Sequence, residues 1–163
     1  MIITFAGHSF VPCVDKVKEA VKAQLRVRIA HAEKVSFYLG GRGGFDELCA
    51  ICCRELKKEH SGIEVVYVAP CFNPSEQAKI KEMQCGDLYD SSIYPPLERV
   101  PPRLAILKRN EWMMSRADLV IAYVTHNYGG AYQALRMAQR QGKLIMNVSE
   151  FVQRQEGGEL PLF

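Results

Sequence analysis

Apolar positions along the chain fall into two alternating rhythms. Residues 2–6 form a short apolar run that stops at Gly7, as a buried strand does. Val14, Val17, Val21 and Leu25 then recur at helical spacing, with Lys16, Lys18, Glu19 and Lys22 between them, which predicts an amphipathic helix. Residues 34–39 (KVSFYL) read as a second strand ending at Gly40, and Leu48, Ile51, Cys52 and Leu56 mark a second helix beginning near Asp46. Residues 63–69 (IEVVYVA) read as a third strand, closed by Pro70. An irregular stretch follows over residues 71–102, where five of the eight prolines fall between Pro74 and Pro102. Helical spacing resumes over 104–116 through Leu107, Asn110, Met113 and Met114, residues 118–124 (DLVIAYV) form a fourth strand, and Ala131, Ala134, Leu135 and Ala138 line a further helix. Residues 144–148 complete a fifth strand, and the tail from Glu156 reads as loosely held.

Strands alternating with helices imply right-handed βαβ crossovers and a parallel sheet covered on both faces. The expected fold is a three-layer α/β/α Rossmann-like domain spanning residues 1–163, with five parallel strands in order 3-2-1-4-5. That order places the fourth strand beside the first, and the long 71–102 segment supplies the crossover. In such a sheet a ligand lies beyond the carboxyl ends of the strands, where the winding reverses.

Three loops at those ends stand out. Gly7, His8 and Ser9 follow the first strand; Gly40, Gly41, Arg42, Gly43, Gly44 and Asp46 follow the second; Thr125, His126, Gly129, Gly130 and Ala131 follow the fourth. Glycine lets backbone approach a ligand closely, and each loop feeds a helix whose first N–H groups lack partners, a ready anion site. The expectation is a nucleotide-sized ligand held where the loops meet. Asp46 serves either as a helix cap or as a partner for a ribose hydroxyl. His8 and His126 are polar contacts or proton carriers, and Tyr89 and Tyr94 belong either to a lid or to a connector.

Composition narrows the classes. With 163 residues and 48% apolar content the chain can bury one core without disulfides or metal. No apolar run approaches a membrane span, and the amino-terminal stretch lacks the basic segment and cleavage site of a signal peptide, so a cytoplasmic setting with reduced cysteines is expected. Cys49, Cys52 and Cys53 fall on one helix without a second knuckle, and read as packing groups rather than zinc ligands. Neither metal nor cofactor is called for. The net charge of +3 and scattered basic residues do not call for a nucleic-acid partner, and none is expected.

The segments ITFAGHSF, FYLGGRGGFDELCA and RNEWMMSRADLVIAYVTHNYGGAYQAL together resemble the SLOG superfamily, which includes the LONELY GUY cytokinin-activating enzymes, the DprA/Smf proteins and DUF1273-like bacterial and phage proteins of unknown function. The resemblance covers nearly the whole chain. It implies that Arg109, followed by Asn110, stands where the enzymes' arginine sits, and that Gly129 and Gly130 approach the nucleotide. It also implies that Gln133 occupies the place of the catalytic glutamate, where an amide cannot serve as general acid or base. Nucleotide binding, as sensor or sequestering module, is therefore expected ahead of N-glycosidic hydrolysis or transfer, which would need a reassigned group such as Asp46, Glu47 or His126. A protein adaptor with a vestigial pocket is the third alternative. Arg109 and Gly130 are expected to act on one anion, unless Arg109 instead pairs with Glu98 or Asp118. A homodimer is implied, with apolar residues of the 104–114 helix as its contact.

Overall fold

The computed structural model describes residues 1–157; the tail reading, which begins at Glu156, lies almost wholly outside them. Six strands form one parallel sheet: β1 (Ile2–Gly7), β2 (Val35–Leu39), β3 (Ile63–Val68), β4 (Ser91–Ile93), β5 (Leu119–Tyr123) and β6 (Leu144–Asn147). Their order is β4-β3-β2-β1-β5-β6. The five expected strands therefore keep their expected order, with β5 paired to β1 from Ile3↔Leu119 through Gly7↔Tyr123.

The sixth strand corrects the sequence reading. The 71–102 stretch, expected to be irregular, holds helix α3 (Pro74–Cys85) and β4, which pairs with β3 at the sheet edge. Asn73 caps α3 by accepting from the Glu76 N–H at 2.8 Å, and Pro74 sits in the first turn, where its missing donor costs nothing. No α3 residue is fully buried, so the helix shows little apolar periodicity. β4 is only three residues long and is held by Asp90 before it. The Asp90 carboxylate accepts from the Val65 N–H at 2.8 Å and pairs with Lys57 and Arg54 on α2.

The other helices are α1 (Val14–Ile29), α2 (Gly44–Lys57), α4 (Ala105–Arg116), α5 (Gly129–Arg140) and α6 (Ser149–Gly157), the last not expected from sequence. Strand side chains alternate between faces. Ile3 and Phe5 of β1, with Leu119, Ile121 and Tyr123 of β5, join the core under α1, α2 and α6. Ala6, Val120, Met114, Ala134 and Ala138 form the second core under α4 and α5. Cys49, Cys52 and Cys53 are buried in the first core, where desolvation pushes their thiols up, that of Cys52 to about 12. Leu107, read as part of the buried face of α4, is exposed; Arg109, Met113 and Met114 are buried instead. Among the described residues no helix is long and apolar enough to cross a membrane.

Candidate functional site

The winding reverses between β1 and β5, and a cleft of about 100 Å³ opens there at the carboxyl end of β1. Seven of the expected site residues line it: Gly7, Arg42, Asp46, Arg109, Asn110, Gly130 and Ala131. Phe5, Ala6, Ile106, Met113, Met114 and Ala134 complete the wall. The sequence reading missed these apolar members because they recur at core spacing.

Among the described residues Arg109 has the largest fully buried side chain, and only 2% of the residue is exposed. Its Nη1 donates to the carbonyls of Gly40 (3.0 Å) and Val68 (2.8 Å), and its Nε donates to Asn110 Oδ1 (2.9 Å). The guanidinium thus ties α4 to the carboxyl ends of β2 and β3. Neither expected acidic partner meets it; Asp118 instead accepts from the Ile2 N–H at 2.7 Å. A guanidinium carries five N–H donors, so the Nη2 pair is what Arg109 has left for a ligand.

Asp46 approaches the same space from α2. It does not cap the helix, whose N-cap is Gly43. Its Oδ2 reaches back to accept the Arg42 N–H at 3.2 Å, so it holds the glycine loop. Burial pushes the Asp46 carboxyl up to about 6, against the pull of the loop N–H groups and of Arg109. Burial likewise lowers the Arg109 guanidinium, opposed chiefly by Asp46.

The glycines divide by role. A Cβ at Gly7 would lie 2.2 Å from the Phe45 ring, and one at Gly40 would lie 2.7 Å from the Arg109 guanidinium. Those two positions need glycine for packing inside the protein. Gly130 meets nothing within 4 Å and adopts no left-handed φ, so its missing side chain leaves space that only a ligand would use.

The remaining expected residues fall elsewhere. Ser9 and Gly44 line a separate hollow beside α1, where the Ser9 carbonyl accepts from Gly44 N–H at 2.7 Å. Gly41, Gly43 and Gly129 turn the loops with positive φ. Gln133 is exposed on α5 and takes no part in the cleft wall. His8, Thr125 and His126 cluster just past the carboxyl ends of β1 and β5, outside the cleft wall: His8 Nε2 accepts the Thr125 N–H at 2.9 Å, and the two imidazoles stack at 3.9 Å. Desolvation, then the neighbouring His126, lowers the His8 imidazole.

On the other side a groove of about 400 Å³ shares Arg42 and Ile106 with the cleft. Tyr94, Leu97, Val100 and Pro102 line it, and Tyr94 stacks on the exposed Phe72 at 5.7 Å. Tyr89, in contrast, is a core residue set edge-on to Tyr67.

No family model matches the chain. An uncharacterized SPbeta prophage-derived protein, YoqJ of Bacillus subtilis (strain 168), is 24% identical over 146 residues, covering 79% of this chain and 84% of the relative. Among solved structures, DNA processing protein A (DprA) from Streptococcus pneumoniae superposes with a TM-score of 0.60 at 15% identity; 96% of this chain matches 56% of that one. DprA from Helicobacter pylori, whose structure concerns its single-stranded DNA binding mode, superposes with a TM-score of 0.57 at 15% identity, covering 96% and 73%. The chain thus spans little more than half the length of the first of these. The likenesses reach the DprA side of the expected resemblance and leave its LONELY GUY side without support. They also overturn the expectation that nucleic acid is not a partner. That expectation rested on whole-chain charge, which averages away what one end of a sheet presents. The chain carries a DprA-like, Rossmann-type α/β fold.

Proposed function

We propose that the chain binds nucleotide units at the carboxyl end of the sheet, presented as single-stranded nucleic acid, and holds them without turning them over. One observation carries the reading. The loops after β1 and β2 and the start of α5 meet at a cleft where Arg42, Asn110 and the N-terminus of α5 offer donors, and this cleft continues past Arg42 into a larger groove. A space of about 100 Å³ suits a phosphate rather than a whole nucleotide, for which pockets run to roughly 300 Å³ or more. A phosphate in the cleft leaves sugar and base to follow the groove past Tyr94. An extended strand satisfies that layout better than a compact free nucleotide does. The single-stranded DNA binding of the H. pylori neighbour supports the same choice. Holding without turnover is supported by Gln133, an amide exposed on α5 outside the cleft wall.

The test is anisotropy of a fluorescein-labelled oligothymidylate of about 16 nucleotides, the upper end of common single-strand site sizes. A thermal-shift panel of AMP, NAD and cyclic nucleotides runs beside it. Saturable binding of the oligonucleotide is expected, with the strand recovered intact. Stabilisation by a free nucleotide with no oligonucleotide binding would replace the strand by a small molecule. Release of free base would overturn the holding role.

A further inference from the structure

Five rings run in sequence from the core to solvent at the carboxyl ends of β1 and β5. Phe45, fully buried, stacks on Tyr123 at 5.7 Å, and Tyr123 meets the edge of His8 at 6.1 Å and 80°. His8 lies parallel to His126 at 3.9 Å and 9°, and His126 lies against Tyr128 at 4.0 Å and 29°. The Thr125 N–H donated to His8 Nε2 fixes the neutral ring with its proton on Nδ1. The series ends on Tyr128, which is 68% exposed.

We infer that Tyr128, backed by His126 and His8, is a stacking platform for one base of a bound single strand. The inference rests on the strand-binding reading above and adds to it a base subsite. An aromatic face left open at the end of a parallel stack accepts another planar ring, and every base has one. Position argues for a base over a protein side chain. Tyr128 is the residue before α5, and Gly130 two positions on lines the phosphate-sized cleft. Two trans peptide steps span at most about 7.6 Å, so the Tyr128 backbone lies within that distance of Gly130 in the cleft wall. A Cβ at Gly129 or Gly130 would meet nothing within 4 Å, so both residues border open space.

The experiment uses the full chain and the labelled oligothymidylate, with Tyr128→Ala, Tyr128→Phe, Tyr128→Trp and Gly130→Val. Stacking is worth about 1–3 kcal/mol per base, so Tyr128→Ala should weaken the strand roughly 5- to 150-fold, whereas Tyr128→Phe should stay within about twofold. Tyr128→Trp should lose emission as the strand is added. An abasic strand should bind the wild-type chain more weakly than the normal strand, and that difference should vanish in Tyr128→Ala. Wild-type affinity in Tyr128→Ala, with Gly130→Val still impaired, would overturn the stacking platform and leave the cleft reading standing. The same holds if the abasic strand costs as much in Tyr128→Ala as in the wild type. Absence of oligonucleotide binding by the wild-type chain would overturn both.

Discussion

Arg109 lies in the cleft wall, yet its hydrogen bonds run to partners other than those expected for it. Its position on α4 was legible, but the partners expected for it were an anion or an acidic residue. The structure supplies backbone carbonyls of Gly40 and Val68 instead. Arg109→Ala leaves both without their donor, and each orphaned buried group costs about 1–3 kcal/mol. The variant should therefore lose about 2–6 kcal/mol of stability, read as an earlier urea midpoint, whether or not a ligand is present. Asp46 supports a prediction with a pH window. Its carboxyl titrates near 6 in the fold against an ordinary 3.8, so the fold holds this proton more tightly than the unfolded chain does. The stability that proton contributes is full below about 4 and is lost as pH rises through about 6. Asp46→Asn, which keeps an acceptor for the Arg42 N–H, should thus melt no lower than wild type at pH 7.5, and any advantage should disappear toward pH 4. The ionised carboxylate also faces the cleft. Strand binding by the wild-type chain should weaken as pH rises through about 6, and Asp46→Asn should flatten that limb of the profile. Phosphodiesters do not titrate there, and His8 is the same in the variant.

At the scale of elements, the start of α5 separates binding from folding. Its first residues are exposed, Gly130 touches nothing, and the free N–H groups of a helix N-terminus attract an anion. Gly130→Val should fold within about 0.5 kcal/mol of wild type, as surface substitutions do. It should bind the oligonucleotide at least tenfold more weakly, a difference of about 1.4 kcal/mol. Anisotropy and thermal melting of the same preparation check both halves. The elements that escaped the sequence reading have physical reasons for doing so. α3 is a helix without a buried face, so its residues carry no period. β4 is three half-buried residues, SSI, held to β3 by backbone pairing and the Asp90 carboxylate rather than by an apolar run.

For the whole molecule, charge is the property most easily misread. A net +3 over 163 residues is mild. Even so, Arg42, Arg109 and the α5 N-terminus gather with Asp46 at one end of the sheet, while Glu55 of α2 and Glu59 just beyond it pair with Lys22 and Arg26 of α1. Local charge, not the sum, governs a phosphate contact. Strand affinity should therefore fall with salt, with log K against log salt sloping by about −0.7 for each phosphate engaged. A slope indistinguishable from zero would mean that no phosphate is held. What the sequence determined by itself was everything encoded locally: four buried strands and a half-exposed fifth as apolar runs, amphipathic helices by their period, and turns by glycine and proline. The Rossmann-type order 3-2-1-4-5 expected for that alternation stands in the structure as β3-β2-β1-β5-β6, with β4 added at the edge. Which residues share a wall was decided only by tertiary structure. Gly7 and Gly40 look like Gly130 in the sequence, yet two make room for Phe45 and Arg109 while the third faces open space. Tyr128 likewise gains its role only because folding sets His126 and His8 behind it, from loops 117 residues apart at Thr125 and His8. A contact between such distant segments leaves no local periodicity, so the chain has to fold before its platform exists.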